Sequence, residues 1–459
     1  MPRLVVADST GQILDHPALG MTGRLGPEIV DVPVGDLLRV PEGTKLFSMP
    51  GSRPIAWDGR RREFRPVSRV RIGSRAFACT TVAAFLPPGY TRTLLPAASY
   101  PAPQPPLPLW PYTAVGWDGE AFVAAAIRTD PMDHSAARHY DDRELLPLIE
   151  ARMSQAPANP ILQQLVRCAT EYHCLAAKNL FLGRWEAPLP VANACNSACV
   201  GCLSWQPSTA SPASHERIRY APSAQDVVEV ALPFLASVPE AIASFGQGCE
   251  GEPLLQADVI AEAIRRIRAA TDRGTLNCNT NGSLPQRVEQ IARAGLDSIR
   301  ISVNSVLPPT YTAYYQPRYY RWEDVRESIH RSKILGLYTT INYLVFPGVT
   351  DREEELDALL DLTRQSGLDM LQMRTSASTP SCTSRPSRRR GGNAWESVRC
   401  SRSSAASSPA SRSATSTGPR NSSAPVSPTP WCSDEPQRDL HFSTDSADYA
   451  DYSGRMPSA

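Results

Sequence analysis

The hydrophobic pattern of this 459-residue chain changes character twice. From Met1 to about Arg138, apolar runs are short and broken by Pro and Gly. Leu4–Ala7, Ala76–Phe85 and Phe122–Ile127 are such runs, and Asp58-Gly59 and Asp118-Gly119 fall between them. Short runs joined by Asp-Gly turns predict strands and hairpins. Residues 1–140 are therefore expected to form a mainly β accessory domain, with Pro101–Pro111 as an extended Pro-rich segment. From Asp141 the period lengthens: Leu145, Leu146 and Ile149, then Ile161, Leu162, Leu165 and Val166, recur at helical spacing. Pro157 and Pro160 divide this stretch into two helices, the second running to about Leu182. Residues 141–186 read as a helical connector.

Residues 187–374 alternate strand and helix. The expected strands are Leu189–Ala192, Ala241–Phe245, Thr275–Asn279, Ser298–Val303, Thr339–Val345 and Asp369–Met373. Amphipathic helices are expected over Ala224–Ser237, Asp258–Ala270, Pro285–Ala294, Glu323–Leu335 and Arg352–Ser366. Parallel strands need long crossovers, so this alternation predicts an α/β fold with a parallel sheet and helices outside. Six such units suit an open or partial (βα)6 barrel, whose site lies at the carboxyl ends of the strands.

After Arg374 neither period survives. Residues 375–459 are about a quarter Ser and rich in Arg, Pro and Ala; they contain no Ile, and only Val398, Val426, Leu440 and Phe442 as Val, Leu or Phe. Text of this composition cannot bury enough apolar surface to offset the entropy of ordering, which predicts a disordered low-complexity tail. The break falls at the end of a strand with no linker. A shift of the coding frame just after Arg374 would account for it, and would leave a damaged derivative lacking the sixth helix.

Formal net charge is +1, so nothing indicates nucleic acid or an anionic surface. No apolar run approaches the ~18 residues that span a bilayer, and Met1–Gln12 lacks a signal-peptide pattern. A cytoplasmic location without membrane contact is expected. The 11 cysteines do not form a disulfide framework. Three of them gather as Cys195-Asn196-Ser197-Ala198-Cys199-Val200-Gly201-Cys202, directly after the first expected strand. Three thiolates on one short loop can wrap one face of an iron–sulfur cubane and leave one iron open. The alternative is zinc, which normally wants four ligands. No fourth Cys or His follows at finger spacing, and Cys249 could join only from the next strand end.

This CxxxCxxC, its place after strand one and the βα repeats behind it resemble the radical S-adenosylmethionine (SAM) superfamily. The resemblance covers about Leu189–Arg374. It implies a partial (βα)6 radical SAM barrel and a [4Fe–4S] cluster on Cys195, Cys199 and Cys202. It further implies that SAM, bound through its amino and carboxylate groups to the open iron, is cleaved reductively. The 5′-deoxyadenosyl radical so formed abstracts hydrogen from a substrate the sequence does not name, and a ferredoxin or flavodoxin supplies the electron. Gly201 departs from the aromatic residue many members carry before the third Cys. Phe245-Gly246-Gln247-Gly248-Cys249-Glu250-Gly251-Glu252-Pro253 resembles the family's GGEP stretch and assigns Gly251, Glu252 and Pro253 to SAM; Glu250 replaces the first Gly of that motif. Ser302 and Asn304, on one side of the fourth strand by alternation, correspond to the family's ribose contacts. Asn279-Thr280-Asn281-Gly282 resembles its TNG. Phe346–Asp351 resembles the loop after strand five, where Asp351 serves equally as a helix N-cap. Cys249, Cys278 and Cys79 read as core thiols, Cys168 and Cys174 lie on different faces of one helix, and the tyrosines at 311, 314, 315, 319 and 320 read as packing under a loop. A non-enzymatic zinc-binding module remains the alternative of a different class.

Overall fold

The computed structural model describes residues 1–375, except 33–34, 36, 103–106, 131–135, 208–210 and 212, together with 441–443. Near the N-terminus, Arg3–Ala7 lies inside an antiparallel sheet beside Ile13–Gly20, Thr80–Phe85 and Thr113–Trp117. Its side chains alternate between two apolar clusters. Leu4 and Val6 pack with Ala56, Val67 and Phe77, whereas Val5 and Ala7 pack with Val82, Val115 and Ala124. Both faces are covered, so the run is continuously apolar rather than alternating. The two Asp-Gly pairs close hairpins as expected. Asp118 Oδ1 accepts the N–H groups of Glu120 and Ala121, both at 2.8 Å, and Asp58 Oδ1 accepts those of Arg60 and Arg61 at 3.1 and 3.3 Å. The run Ala76–Phe85 is two strands rather than one: Arg75–Ala78 pairs with Arg69–Ile72, and Thr80–Phe85 enters the main sheet. Within Pro101–Pro111, residues 103–106 lie outside the described part, and Trp110 packs edge-on against Phe47 at 5.0 Å.

The connector contains a third helix that the periodicity did not separate. Asp142–Gln155 and Pro160–Thr170 are followed by Leu175–Phe181. The break falls at His173, whose φ of +51° no helix accommodates. Asn159 caps the second helix, its Oδ1 accepting the Ile161 and Leu162 N–H groups at 3.0 and 3.2 Å, with Pro160 at the first position.

Six parallel strands then pair in sequence order: Glu186–Pro188, Ile242–Phe245, Thr275–Thr280, Ser298–Val303, Tyr338–Val345 and Met370–Thr375. His441–Ser443 adds a short strand beside the sixth, inside the segment expected to be without order; the remainder of that tail, and the frame-shift reading with it, lies outside the described residues. Helices Ala224–Ser237, Ala257–Ala270, Pro285–Arg293, Trp322–Ile334 and Glu353–Ser366 run between strands. This is the expected α/β partial barrel. An additional helix, Pro308–Tyr315, fills the loop after the fourth strand. Ile299, Ile301 and Val303 face the helices and their apolar core. Arg300 on the other face reaches Glu186 Oε1 at 2.8 Å, with both side chains buried, so the sheet interior is polar.

One strand departs from expectation. The first is Glu186–Pro188, not Leu189–Ala192. Leu189, Val191 and Ala192 are buried, which is what the apolar pattern registered. Yet the N–H groups of Val191 and Ala192 turn to the Glu250 carboxylate at 2.8 and 2.9 Å instead of to a neighbouring strand. Asp351 is likewise not an N-cap: Arg352 holds that position, and Asp351 Oδ1 accepts the Gly348 N–H at 2.7 Å. Gly348 (φ +84°) abuts the N-terminal sheet, where a Cβ would stand 2.2 Å from the Gly26 nitrogen. There the Gly26 N–H donates to the Pro347 carbonyl at 3.0 Å, and the Arg92 N–H donates to Thr375 Oγ1 at 3.2 Å. No helix among the described residues is long and apolar enough to cross a membrane.

Candidate functional site

The cysteine loop is held from three directions. On the first side, Glu250 accepts four backbone N–H groups: Val191 and Ala192 on Oε2, Gly246 and Gln247 on Oε1. One buried carboxylate thus ties the approach to Cys195 to the end of the second strand. Gly251 and Glu252 complete this seam by donating to the carbonyls of Ala192 and Ala194 at 2.7 and 2.9 Å. A Cβ on Gly251 would meet the Ala194 carbonyl oxygen at 1.9 Å, so only glycine lets the two segments lie this close.

On the second side stands the third strand's end. Asn281 Nδ2 donates to Asn196 Oδ1 at 2.8 Å and to Ser197 Oγ at 3.1 Å, and Asn196 Nδ2 donates to Ser283 Oγ at 2.8 Å. Glu252 joins this group: its carboxylate accepts the Thr280 hydroxyl, the Asn281 N–H at 2.8 Å and the Leu254 N–H at 3.0 Å. Pro253 opens the short helical turn that follows. On the third side lie the tyrosines. The Ala198 and Val200 N–H groups donate to the Tyr315 and Tyr314 carbonyls, each at 3.0 Å. The Tyr320 hydroxyl lies 2.8 Å from Ser197 Oγ and 3.3 Å from the Tyr311 hydroxyl. The aromatic cluster therefore packs against the cysteine loop and grips its backbone; Tyr319 is fully exposed and takes no part.

Cys195, Cys199 and Cys202 are free and partly exposed. Burial first, then the nearby Glu252 carboxylate, pushes the Cys195 thiol up to about 11. Burial and the neighbouring thiols raise Cys199 well above its ordinary value. Iron would have to displace these protons, since the thiolate is the ligand. Among the described residues, no three His, Cys, Asp or Glu side chains converge as ligands of a single ion. Arg217 Nη2 stands 3.9 Å from Cys202 Sγ.

The fourth strand carries Ser302, which is partly exposed, and Asn304, completely buried, directly follows its end. Neither Nδ2 nor Oδ1 of Asn304 has a hydrogen-bond partner among the described residues. An orphaned buried amide costs about 1–3 kcal/mol per group, and a bound polar ligand would satisfy it. A ribose offers the needed hydroxyls, so the residues present fit SAM at this position.

Behind the site, Cys168, Cys174, Cys249 and His215 line a cavity of about 10 Å³, room for one water at most. Cys168 and Cys249 line the same cavity, and Cys174 occupies the N-cap of the next helix rather than sharing one with Cys168. Burial pushes His215 down to about 4, so its ring is neutral in the fold. An unfolded His binds a proton near 6.5. The unfolded state therefore gains protons first as pH falls, and the native state loses stability from about pH 6.5 down to about 4. His215→Phe keeps the ring but not this penalty. Wild type should lose about 3 kcal/mol relative to this variant between pH 7 and 4. Urea unfolding of iron-free protein across that range measures it, and parallel curves would contradict the burial argument.

The sequence singles out the cysteines, the GGEP-like stretch and Asn304; it does not single out Arg217, which sits in an irregular segment that gives no periodic signal. It registers Glu250 only as a departure from a motif. Residues 189–360 match the family model described as the Radical SAM superfamily. The chain is 35% identical over 115 residues to GTP 3′,8-cyclase of Aquifex aeolicus (strain VF5), covering 25% of this chain and 34% of that protein. It is 30% identical over 122 residues to molybdenum cofactor biosynthesis protein 1 of Bos taurus, covering 26% and 18%. The chain thus spans about a third or less of these curated relatives. A solved structure, Streptococcus suis SuiB bound to S-adenosylmethionine, is similar with 15% identity and a TM-score of 0.33, covering 50% of this chain and 48% of that one. Residues 189–360 of this chain thus form a domain of the radical SAM superfamily.

Proposed function

We propose that the chain is a radical SAM enzyme whose Cys195, Cys199 and Cys202 hold a [4Fe–4S] cluster and whose Gly251, Glu252, Pro253, Ser302 and Asn304 hold SAM. The observation that carries this reading is the loop itself. Three thiols sit on one loop whose backbone and side chains are fixed by the ends of the second and third strands and by the helix after the fourth. Three cysteines with no fourth Cys or His at finger spacing suit a cluster with one open iron better than a zinc site, which normally takes four ligands.

When bound, the reduced cluster and SAM would supply methionine and a 5′-deoxyadenosyl radical able to take hydrogen from a substrate. The chain's own residues do the rest. The Gly251 seam and Glu250 keep the cysteine loop rigid, and Asn304 orients a hydroxyl-bearing ligand from the end of the fourth strand. The polar sheet interior around Arg300 and Glu186 suits a polar substrate. The name of the Aquifex aeolicus relative offers a finer reading, a cyclase acting on GTP, resting on a quarter of this chain. An electron donor of the ferredoxin or flavodoxin class completes the proposal. The test is chemical: reconstituted protein, dithionite and SAM should yield 5′-deoxyadenosine, read by mass spectrometry, and Cys199→Ala should yield none. Adding GTP tests the finer reading, which stands only if GTP is consumed. Equal yields from wild type and Cys199→Ala would sink the enzyme reading.

A further inference from the structure

Residues 213–223, before helix Ala224–Ser237, run without regular structure but are anchored at two points. The His215 N–H donates to the Leu203 carbonyl at 2.9 Å and the Ile218 N–H to the Cys249 carbonyl at 2.8 Å. Arg217 lies between these two anchors. Its Nε donates to Ser204 Oγ at 3.1 Å, and its Nη2 lies 3.9 Å from Cys202 Sγ. Ser204 Oγ is itself 3.7 Å from that sulfur and donates its hydrogen to the Glu250 carbonyl at 2.9 Å. A hydroxyl carries one hydrogen. With that hydrogen committed to Glu250, the donor facing Cys202 Sγ is the Arg217 guanidinium, and Ser204 aligns it.

We propose that Arg217 is a positioning residue that sets the reduction potential of the cluster, an inference that rests on the cluster reading above. Reduction transfers one electron to the oxidised [4Fe–4S]²⁺ state from a one-electron donor, dithionite in the assay. No bond breaks, and the added charge stays on the cluster. A guanidinium keeps its positive charge throughout the working range. A fixed cation and an N–H donor beside a ligand sulfur stabilise the more anionic, reduced state, and hydrogen bonds to sulfur are a known lever on such potentials. Arg217 is half-buried, so solvent screens it less than a surface charge.

The experiment compares full-length wild type, Arg217→Gln, Arg217→Lys and Cys199→Ala after anaerobic reconstitution. Iron and sulfide content and an EPR-monitored redox titration are read for each. Arg217→Gln should hold the same iron but titrate at a more negative potential. At the poise that half-reduces the wild type, its reduced fraction should fall several-fold. Arg217→Lys, which keeps the charge but loses the fork that Ser204 aligns, should shift the same way by less. A wild-type midpoint in Arg217→Gln overturns the proposal; if that variant takes up no iron, a wild-type midpoint in Arg217→Lys does so. Failure of the wild type to build a cluster, or iron uptake unchanged in Cys199→Ala, would instead remove the cluster reading itself.

Discussion

Gly251→Ala should cost about 3 kcal/mol and abolish cluster uptake, although the added methyl group is chemically inert. Its Cβ would stand 1.9 Å from the Ala194 carbonyl oxygen, and 2.5 Å from the carbon behind it. Both atoms are backbone, so no side chain can swing aside. One segment must shift, and the segment on the far side leads directly to Cys195. Overpacking of this kind costs about 1–3 kcal/mol, and the seam's two hydrogen bonds at Ala192 and Ala194 would lengthen with it. Urea unfolding gives the stability and iron analysis gives the uptake. Wild-type values for both would show that the two segments tolerate separation.

Glu250→Gln should be nearly as damaging despite preserving size and shape. Each carboxylate oxygen takes a pair of backbone N–H groups, Val191 with Ala192 on one side and Gly246 with Gln247 on the other. An amide has one oxygen, so whichever way it turns, its NH₂ faces two donors. Two buried N–H groups lose their acceptor, at about 1–3 kcal/mol each. Burial pushes the Glu250 carboxyl up to about 7, while those four donors pull it down. Hydrogen exchange at Val191 and Ala192 or at Gly246 and Gln247 should accelerate in the variant, one pair more than the other. Unchanged exchange at all four amides would contradict the assigned geometry.

Much of the parallel sheet was legible because its parts are written redundantly. Helix Ala224–Ser237 has an apolar face of Val227, Val230, Ala231 and Phe234, and a capping box from Ser223 and Asp226, so both period and boundary point to one answer. The strands between such helices set apolar residues toward the helices against polar ones on the other face, as Ile299, Ile301 and Val303 alternate with Arg300 and Ser302. The first strand was displaced because burial and ladder pairing part company there. Val191 and Ala192 are as apolar as a strand requires, but a carboxylate fifty-eight or more residues onward takes their hydrogen bonds. The break at His173 depends on one left-handed residue, which no pattern marks. Helix Pro308–Tyr315 read as a bare tyrosine cluster, since most of its residues are buried and it shows no polar face.

The candidate site is marked in the sequence where chemistry needs a fixed spacing, as in the three cysteines, whereas alternation offers Ser302 and Asn304 only as an expectation. It was not legible where a contact joins distant parts of the chain. Nothing in the sequence around Arg217 places its guanidinium against Cys202, and nothing in Asn281 alone shows that it grips Asn196 and Ser197. Such contacts depend on how three strand ends meet, which is a property of the folded sheet.

The central claim is that one iron of a cluster on Cys195, Cys199 and Cys202 is left open for SAM. The most direct measurement is EPR of the anaerobically reconstituted, dithionite-reduced chain, recorded with and without SAM. The expected result is a [4Fe–4S]⁺ signal that changes when SAM is added and is absent in Cys199→Ala. A reduced-cluster signal that SAM leaves unchanged, or a chain that binds zinc in place of iron, would contradict it.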